Sequence, residues 1–103
     1  DEVTVVVMSE MGRFPQLNSR EGKEHWTYTS ALMLGDGVRG GQTIGEYDSS
    51  CFGLPVDLNS GSVSSNGEKL LPSHLGATLL QLADIDPRAH IDGSPISAVL
   101  EEI

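Results

Sequence analysis

Cysteine occurs once in this sequence, at Cys51. A disulfide within the chain and a cysteine-based zinc cluster are both excluded, since each needs a further thiol. Basic residues are scarce too: six Lys and Arg stand against 15 Asp and Glu, a formal charge of −9. Nucleic-acid binders displace counterions from phosphate with a basic stripe, and this sequence has none. The same scarcity argues against attraction to anionic lipid. A membrane-spanning helix needs about 20 apolar residues in a row, whereas the longest such run is Val5 to Met8. The basic start of a signal peptide is missing, because Asp1 and Glu2 stand there. A chain that lacks an initiator Met and enters an apolar run at Val3 reads as processed, or as cut from something longer. At 103 residues it makes one small domain. Such a domain buries only about two-thirds of its unfolded surface, so it is expected to lean on a partner surface or on further chain.

What is present is patterned. Val3-Thr4-Val5-Val6-Val7-Met8 is rich in β-branched residues and predicts a strand apolar on both faces, as in the middle of an α/β sheet. Residues 9–26 have no clean period and hold Gly12, Pro15 and Gly22, which predicts a long polar loop at the strand's C-terminal end. Open α/β sheets place their ligands at that end, and loops beyond about 12–15 residues are often functional. Residues 28–34 predict a second strand, glycines at 35, 37, 40 and 41 predict turns, and 43–47 predict the return strand of a hairpin. Residues 57–68, full of Ser, Gly and Asn, read as a flexible loop. Leu70-Leu71-Pro72-Ser73 opens the clearest helix, with Ser73 as N-cap and 74–83 as its body. Leu75, Leu79, Leu80, Leu82 and Ala83 form its apolar face, and Asp86-Pro87 stops it. A short final helix is expected over 96–101.

The residues able to do chemistry gather in the first long loop: Ser9, Glu10, Arg13, Glu24, His25 and Trp26. Carboxylate oxygen with imidazole nitrogen suits zinc, manganese or a similar ion, but a catalytic zinc needs about three protein ligands. An isolated Glu and His on a loop are ordinarily just solvated, so spacing alone leaves both readings open. Arg13 either holds an anion in bidentate fashion or pairs with one of the many acids. His74 is expected to support the start of its helix, His90 to lie exposed in a turn, and Cys51 to be packed. Ser9 lacks the context of a hydrolase elbow. Asp36-Gly37 lacks the alternating oxygens of a calcium loop.

The string Val5-Val6-Val7-Met8-Ser9-Glu10-Met11-Gly12-Arg13-Phe14-Pro15 resembles a bacterial family, domain-of-unknown-function family 1501, with its sulfatase-like domain of the alkaline phosphatase and sulfatase superfamily. Gly22-Lys23-Glu24-His25-Trp26 matches that family's Gly-x-Asp-His-Trp. The string from Leu34 to Gly41 matches its glycine-rich turn, and 42–47 its hairpin. Leu75 to Ala83 and Asp92-Gly93-Ser94-Pro95-Ile96 resemble the superfamily's closing helix and turn. Met11, Phe14 and Glu24 depart from the usual Phe, Thr and Asp.

The resemblance implies a single partial domain over 1–103, the C-terminal portion of an alkaline-phosphatase-like sandwich. Its expected parts are a short central sheet, a β-hairpin and a packed C-terminal helix. It implies a sulfate or phosphate ester hydrolase whose nucleophile lies upstream, so that this chain is inactive alone. Glu10 and His25 take the places of metal ligands, Glu24 ligates or stands just behind them, and Arg13 clamps the anion. The implied cofactor is zinc, manganese or calcium in the full-length protein, with none required in the isolated piece. The implied partners are the upstream part of the domain and a small anionic ester, and the implied location is periplasmic or exported. The rival reading is a non-catalytic binding or structural module of the same fold. A further expectation is a homo-oligomer that covers an exposed sheet edge.

Overall fold

A computed structural model describes residues 3–101. Its regular elements are β1 (Thr4–Met8), β2 (Gly12–Arg13), β3 (His25–Trp26), β4 (Ala31–Gly35) and α1 (Pro72–Leu82), with single 3-10 turns at Pro87–Ala89 and Ser97–Val99. The fold is therefore mixed α/β, with two small antiparallel sheets and one helix. No described helix is long and apolar enough to cross a membrane.

The β-branched run 4–8 does form a strand, but it is not a central one. It pairs only with β4, from Thr4 opposite Gly35 to Met8 opposite Ala31. The hairpin expected between 28–34 and 43–47 is not formed, because β1 already occupies β4. Gly35 turns the chain away at φ +106°, where a Cβ would lie 2.3 Å from the Val3 carbonyl oxygen. Residues 38 and 39 then bond to the C-terminal segment, through a bridge from Val38 to Leu100 and a bond from Arg39 N to Val99 O. In 43–47 only Tyr47 makes a bridge, to Gly53.

The expected burial of β1 on both faces also fails. Val5, Leu34, Val7 and Leu32 are cross-strand neighbours on one face, and they are 42%, 47%, 56% and 59% exposed. Nothing among the described residues covers that face. Thr4, Val6 and Met33 on the other face are half-buried.

The core lies in the C-terminal half, and small residues make it. Val56, Ala77, Thr78 and Ala98 are fully buried, with Ile96 and His74 nearly so. The helix stripe that faces this core is His74, Ala77 and Thr78, at the i, i+3, i+4 spacing of one face. The expected leucine face is only partly used: Leu75, Leu80 and Leu82 are half-buried, and Leu79 is exposed. The reason is the close approach of the segment 96–98, which small side chains permit. Thr78 Oγ1 donates to His74 O at 2.7 Å and accepts from Ile96 N at 2.8 Å. Beyond it, Ala98 N donates to Leu58 O and Glu101 N to Gly37 O. The final helix expected over 96–101 shrinks to one 3-10 turn because its backbone groups are committed to these outside partners.

The N-cap of α1 is Leu71, not Ser73, because Pro72 takes the first helical position, where its missing N–H costs nothing. Leucine has no side-chain acceptor, and His74 supplies the cap instead: its Nδ1 accepts from Leu71 N at 2.8 Å. The neutral imidazole then carries its proton on Nε2, which lies 3.5 Å from the Glu68 carboxylate. The helix ends before Pro87. Asp84 adopts the left-handed conformation (φ 60°), while Asp84 N bonds Gln81 O and Ile85 N bonds Leu80 O. Asp86 then caps the next turn through Arg88 N. The Arg88 guanidinium, followed by that backbone N–H, holds the Asp86 carboxyl below its ordinary range.

Residues 57–68 owe their composition to turn chemistry. Asp57 Oδ1 accepts from Asn59 N and Ser60 N, Ser64 N donates to Pro55 O, and Val56 exchanges backbone bonds with Glu68. Ser, Gly and Asn here satisfy backbone groups around the buried Val56.

Thr78→Val keeps the shape of the side chain but leaves the Ile96 amide without an acceptor. A loss of about 1–3 kcal/mol is expected, read as a lower midpoint in urea unfolding. An unchanged midpoint would remove Thr78 from the centre of this core.

Candidate functional site

Within the stretch 9–26, expected as a long polar loop, residues 12–26 fold into a short ribbon. Asn18 closes its tip. Asn18 N donates to Gly22 O, Glu21 N to Asn18 O, and Asn18 Oδ1 accepts from Arg20 N and Gly22 N. Glu21 takes the left-handed turn conformation (φ 61°). The chain then runs back antiparallel: Arg13 stands opposite His25, Gly12 opposite Trp26, and Phe14 N donates to Glu24 O.

Residues directly opposite share a face, and neighbours along a strand alternate. The ribbon therefore has two chemically distinct sides. Arg13 and His25 lie on one. Phe14, Glu24 and Trp26 lie on the other.

The second side is aromatic. Phe14 packs on Trp26 (ring centroids 4.7 Å apart) and Trp26 on Phe52 (5.3 Å). Phe52 meets Tyr28 (6.0 Å), and Tyr28 meets Tyr47 (6.3 Å). Every aromatic residue of the chain belongs to this row, one Trp, two Tyr and two Phe. Each such pair is worth about 0.5–1.5 kcal/mol beyond area burial. Trp26 Nε1 also donates to Cys51 O at 2.7 Å, across a turn in which Cys51 holds φ 66°. The cysteine, expected to be packed, is half-buried, and its backbone carbonyl is what holds Trp26.

On the first side, Arg13 Nη1 donates to Lys23 O at 3.2 Å. The pairing with an acid that sequence left open for Arg13 is not formed: among the described residues the ion pair is Arg88 with Asp86, and the other acid–base contact is His74 with Glu68. Both Arg13 and His25 are exposed. The His25 ring makes no hydrogen bond to a described residue.

The other two candidates stand apart from this pair. Glu24 is on the aromatic side, and its Oε1 accepts from Asn18 Nδ2 at 2.8 Å. Glu10 follows β1 on an exposed bend. Among the described residues no three His, Cys, Asp or Glu side chains group to hold a metal ion. Glu10 and His25 are therefore two uncommitted donors, short of the three or so that a catalytic zinc needs. The residues present do not compose a metal site by themselves.

Of the remaining histidines, His74 is the helix cap described above, and His90 is exposed at the end of its 3-10 turn. Two open depressions lie elsewhere, one of about 490 Å³ between Asp57, Glu68 and Ser94, the other beside Thr43 and Glu46; neither includes Arg13, Glu10, Glu24 or His25.

Asn18 was missed as a site residue. Its signal was an Asn followed by Ser in a polar stretch that ends at Gly22, which is turn chemistry.

With this geometry in view, the family described as Protein of unknown function (DUF1501) matches residues 1–94. The chain belongs to that family. No curated protein and no solved structure matches the chain.

The ribbon depends on Gly12, which is buried; a Cβ there would lie 1.7 Å from the Tyr28 carbonyl oxygen. Gly12→Ala must displace β2 and with it the Arg13–His25 register. The single Trp reports this directly. A red shift of Trp26 fluorescence and a stability loss of about 3 kcal/mol or more are expected, as for the severe class of substitutions. A variant with the parent's spectrum and melting curve would contradict the close approach.

Proposed function

We propose that the chain is the anion-recognising part of a sulfatase- or phosphatase-like hydrolase domain. The observation that carries this reading is the cross-strand pairing of Arg13 with His25. It puts a residue with a planar fork of donors and a residue with an imidazole on one open face, and both residue types suit the oxygens of a sulfate or phosphate ester. Arg13 clamps the anion. Glu10 and His25 supply part of a divalent-metal site for zinc, manganese or calcium, whose other ligands lie outside this chain, and Glu24, bound to Asn18, takes no part in it. The surrounding fold is the C-terminal portion of an alkaline-phosphatase-like sandwich. The bare apolar face of β1 and β4 supports this, because strands apolar on both sides belong inside a larger sheet. The nucleophile is elsewhere in that domain, and the chain alone does not turn over ester.

Calorimetric titration of the chain with inorganic sulfate and inorganic phosphate tests the anion site. Arg13→Ala should weaken binding by about tenfold or more, the value of a charge-assisted hydrogen bond. Equal binding by the variant rules Arg13 out as the clamp.

Zinc and manganese titrations of the longer protein test the other half. Glu10→Ala and His25→Ala are each expected to lower affinity by about tenfold or more, at least as much as loss of a group that merely supports a ligand. If both variants bind these ions as the parent does, the metal assignment is wrong.

A further inference from the structure

Resting on that reading of the Arg13–His25 face, we infer that Asn18 is a positioning residue that keeps the Glu24 carboxylate away from the anion site and so sets the sign of its charge.

The case starts from a conflict in the sequence. An anion site in a chain of net charge −9 has a carboxylate, Glu24, directly beside one of its members, His25. Arg13 is close to it as well. Its Nη1 donates to Lys23 O, the carbonyl of the peptide unit that leads into Glu24. Glu24 is exposed and adjoins the peptide unit that Arg13 bonds, so a swing of its side chain toward the guanidinium is the alternative with which the Asn18 bond competes. An ion pair there would occupy the fork that an oxyanion needs, and the opposite charge would cancel the attraction.

The structure holds Glu24 otherwise. Its Oε1 accepts from Asn18 Nδ2 at 2.8 Å, on the aromatic side of the ribbon. Asn18 can do this because its other end is fixed. Oδ1 accepts from Arg20 N and Gly22 N, at 2.9 and 3.0 Å, and the Asn18 backbone bonds Gly22 and Glu21. With Oδ1 committed to two amide donors, the NH₂ group must point outward as a donor. An amide is the side chain that meets both demands: it accepts from the turn and donates to a carboxylate. Aspartate would serve the turn equally well but would repel Glu24.

That difference supplies the test. Asn18→Asp keeps the turn's acceptor but puts a second carboxylate where the donor to Glu24 stood, and Asn18→Ala removes acceptor and donor without adding charge. Two quantities are read on the full chain: the ¹⁵N–¹H signal of the Arg13 guanidinium, and the affinity for inorganic sulfate. Both variants are expected to move the Arg13 signal and to weaken sulfate binding about two- to fivefold, the range of an exposed ion pair. With Glu24→Gln as the background, adding Asn18→Ala should change neither reading from that of the Glu24→Gln single variant, because a neutral amide cannot compete for the guanidinium. A structural role for Asn18 would change them in that background too.

The inference is overturned if Asn18→Asp leaves the Arg13 signal in place, or if Asn18→Ala moves it in the Glu24→Gln background. If instead Asn18→Ala moves the Arg13 signal only when Glu24 is present, while the parent chain binds no sulfate, the control of Glu24 stands and the anion-site reading falls.

Discussion

The hydroxyl of Thr78 links the two ends of this molecule's dependence. It is fully buried, donates to the helix carbonyl of His74 and accepts from the amide of Ile96. That second bond fixes the segment 96–101 on α1. From there Ala98 N reaches Leu58 O, Arg39 N reaches Val99 O, and Glu101 N reaches Gly37 O. The turn after β4 is thus tied to the helix, and β1 is tied to that turn, since Asp36 N bonds Val3 O and Thr4 Oγ1 donates to Asp36 O. A buried hydroxyl serves better than a methyl here. It satisfies an amide that would otherwise be buried without an acceptor.

The two halves are stabilised by different physics. The C-terminal half is a conventional core of small and β-branched side chains around Val56, Ala77 and Ala98. The β2–β3 ribbon has only two residues per strand and leans on the aromatic row at its back. This division leaves an elongated body, 50 × 30 × 29 Å, with a radius of gyration of 14.9 Å against about 13 Å for a compact domain of this length. The ribbon's rear side does the packing, and its front side is left to polar groups. Arg13 and His25 stand at the front because Gly12 and Trp26, one position along each strand, are at the back.

Much of this was legible from residues. The β-branched run at 4–8 is a strand, and Pro72 opens the helix where a proline is tolerated. His74 supports the helix start, as expected, though by accepting a hydrogen bond in the place of a cap residue. The first long loop holds Arg13 opposite His25. What could not be read was the pairing. The strand 31–35 could have folded onto 43–47 just as well as onto 4–8, because both are short and partly apolar. The outcome turned on bonds from 38 and 39 to residues some 60 positions away. Glu24 and His25 are adjacent in sequence, yet strand alternation sends them to opposite sides. Periodicity was invisible there, because two residues per strand are too few to show it.

The sequence by itself determined the acidic charge, the single thiol, the family and the residue types available for chemistry. It also marked the turns, because Gly, Asn, Asp and Pro act on their own backbone within a few positions. The tertiary structure alone decided which strand takes β4 and which helix residues are buried. It also decided which of the four candidate side chains share a face, and that Glu24 bonds Asn18. These outcomes come from contacts between residues distant in sequence, such as Thr78 with Ile96 and Trp26 with Cys51. Their energies depend on geometry that exists only once the chain has closed on itself.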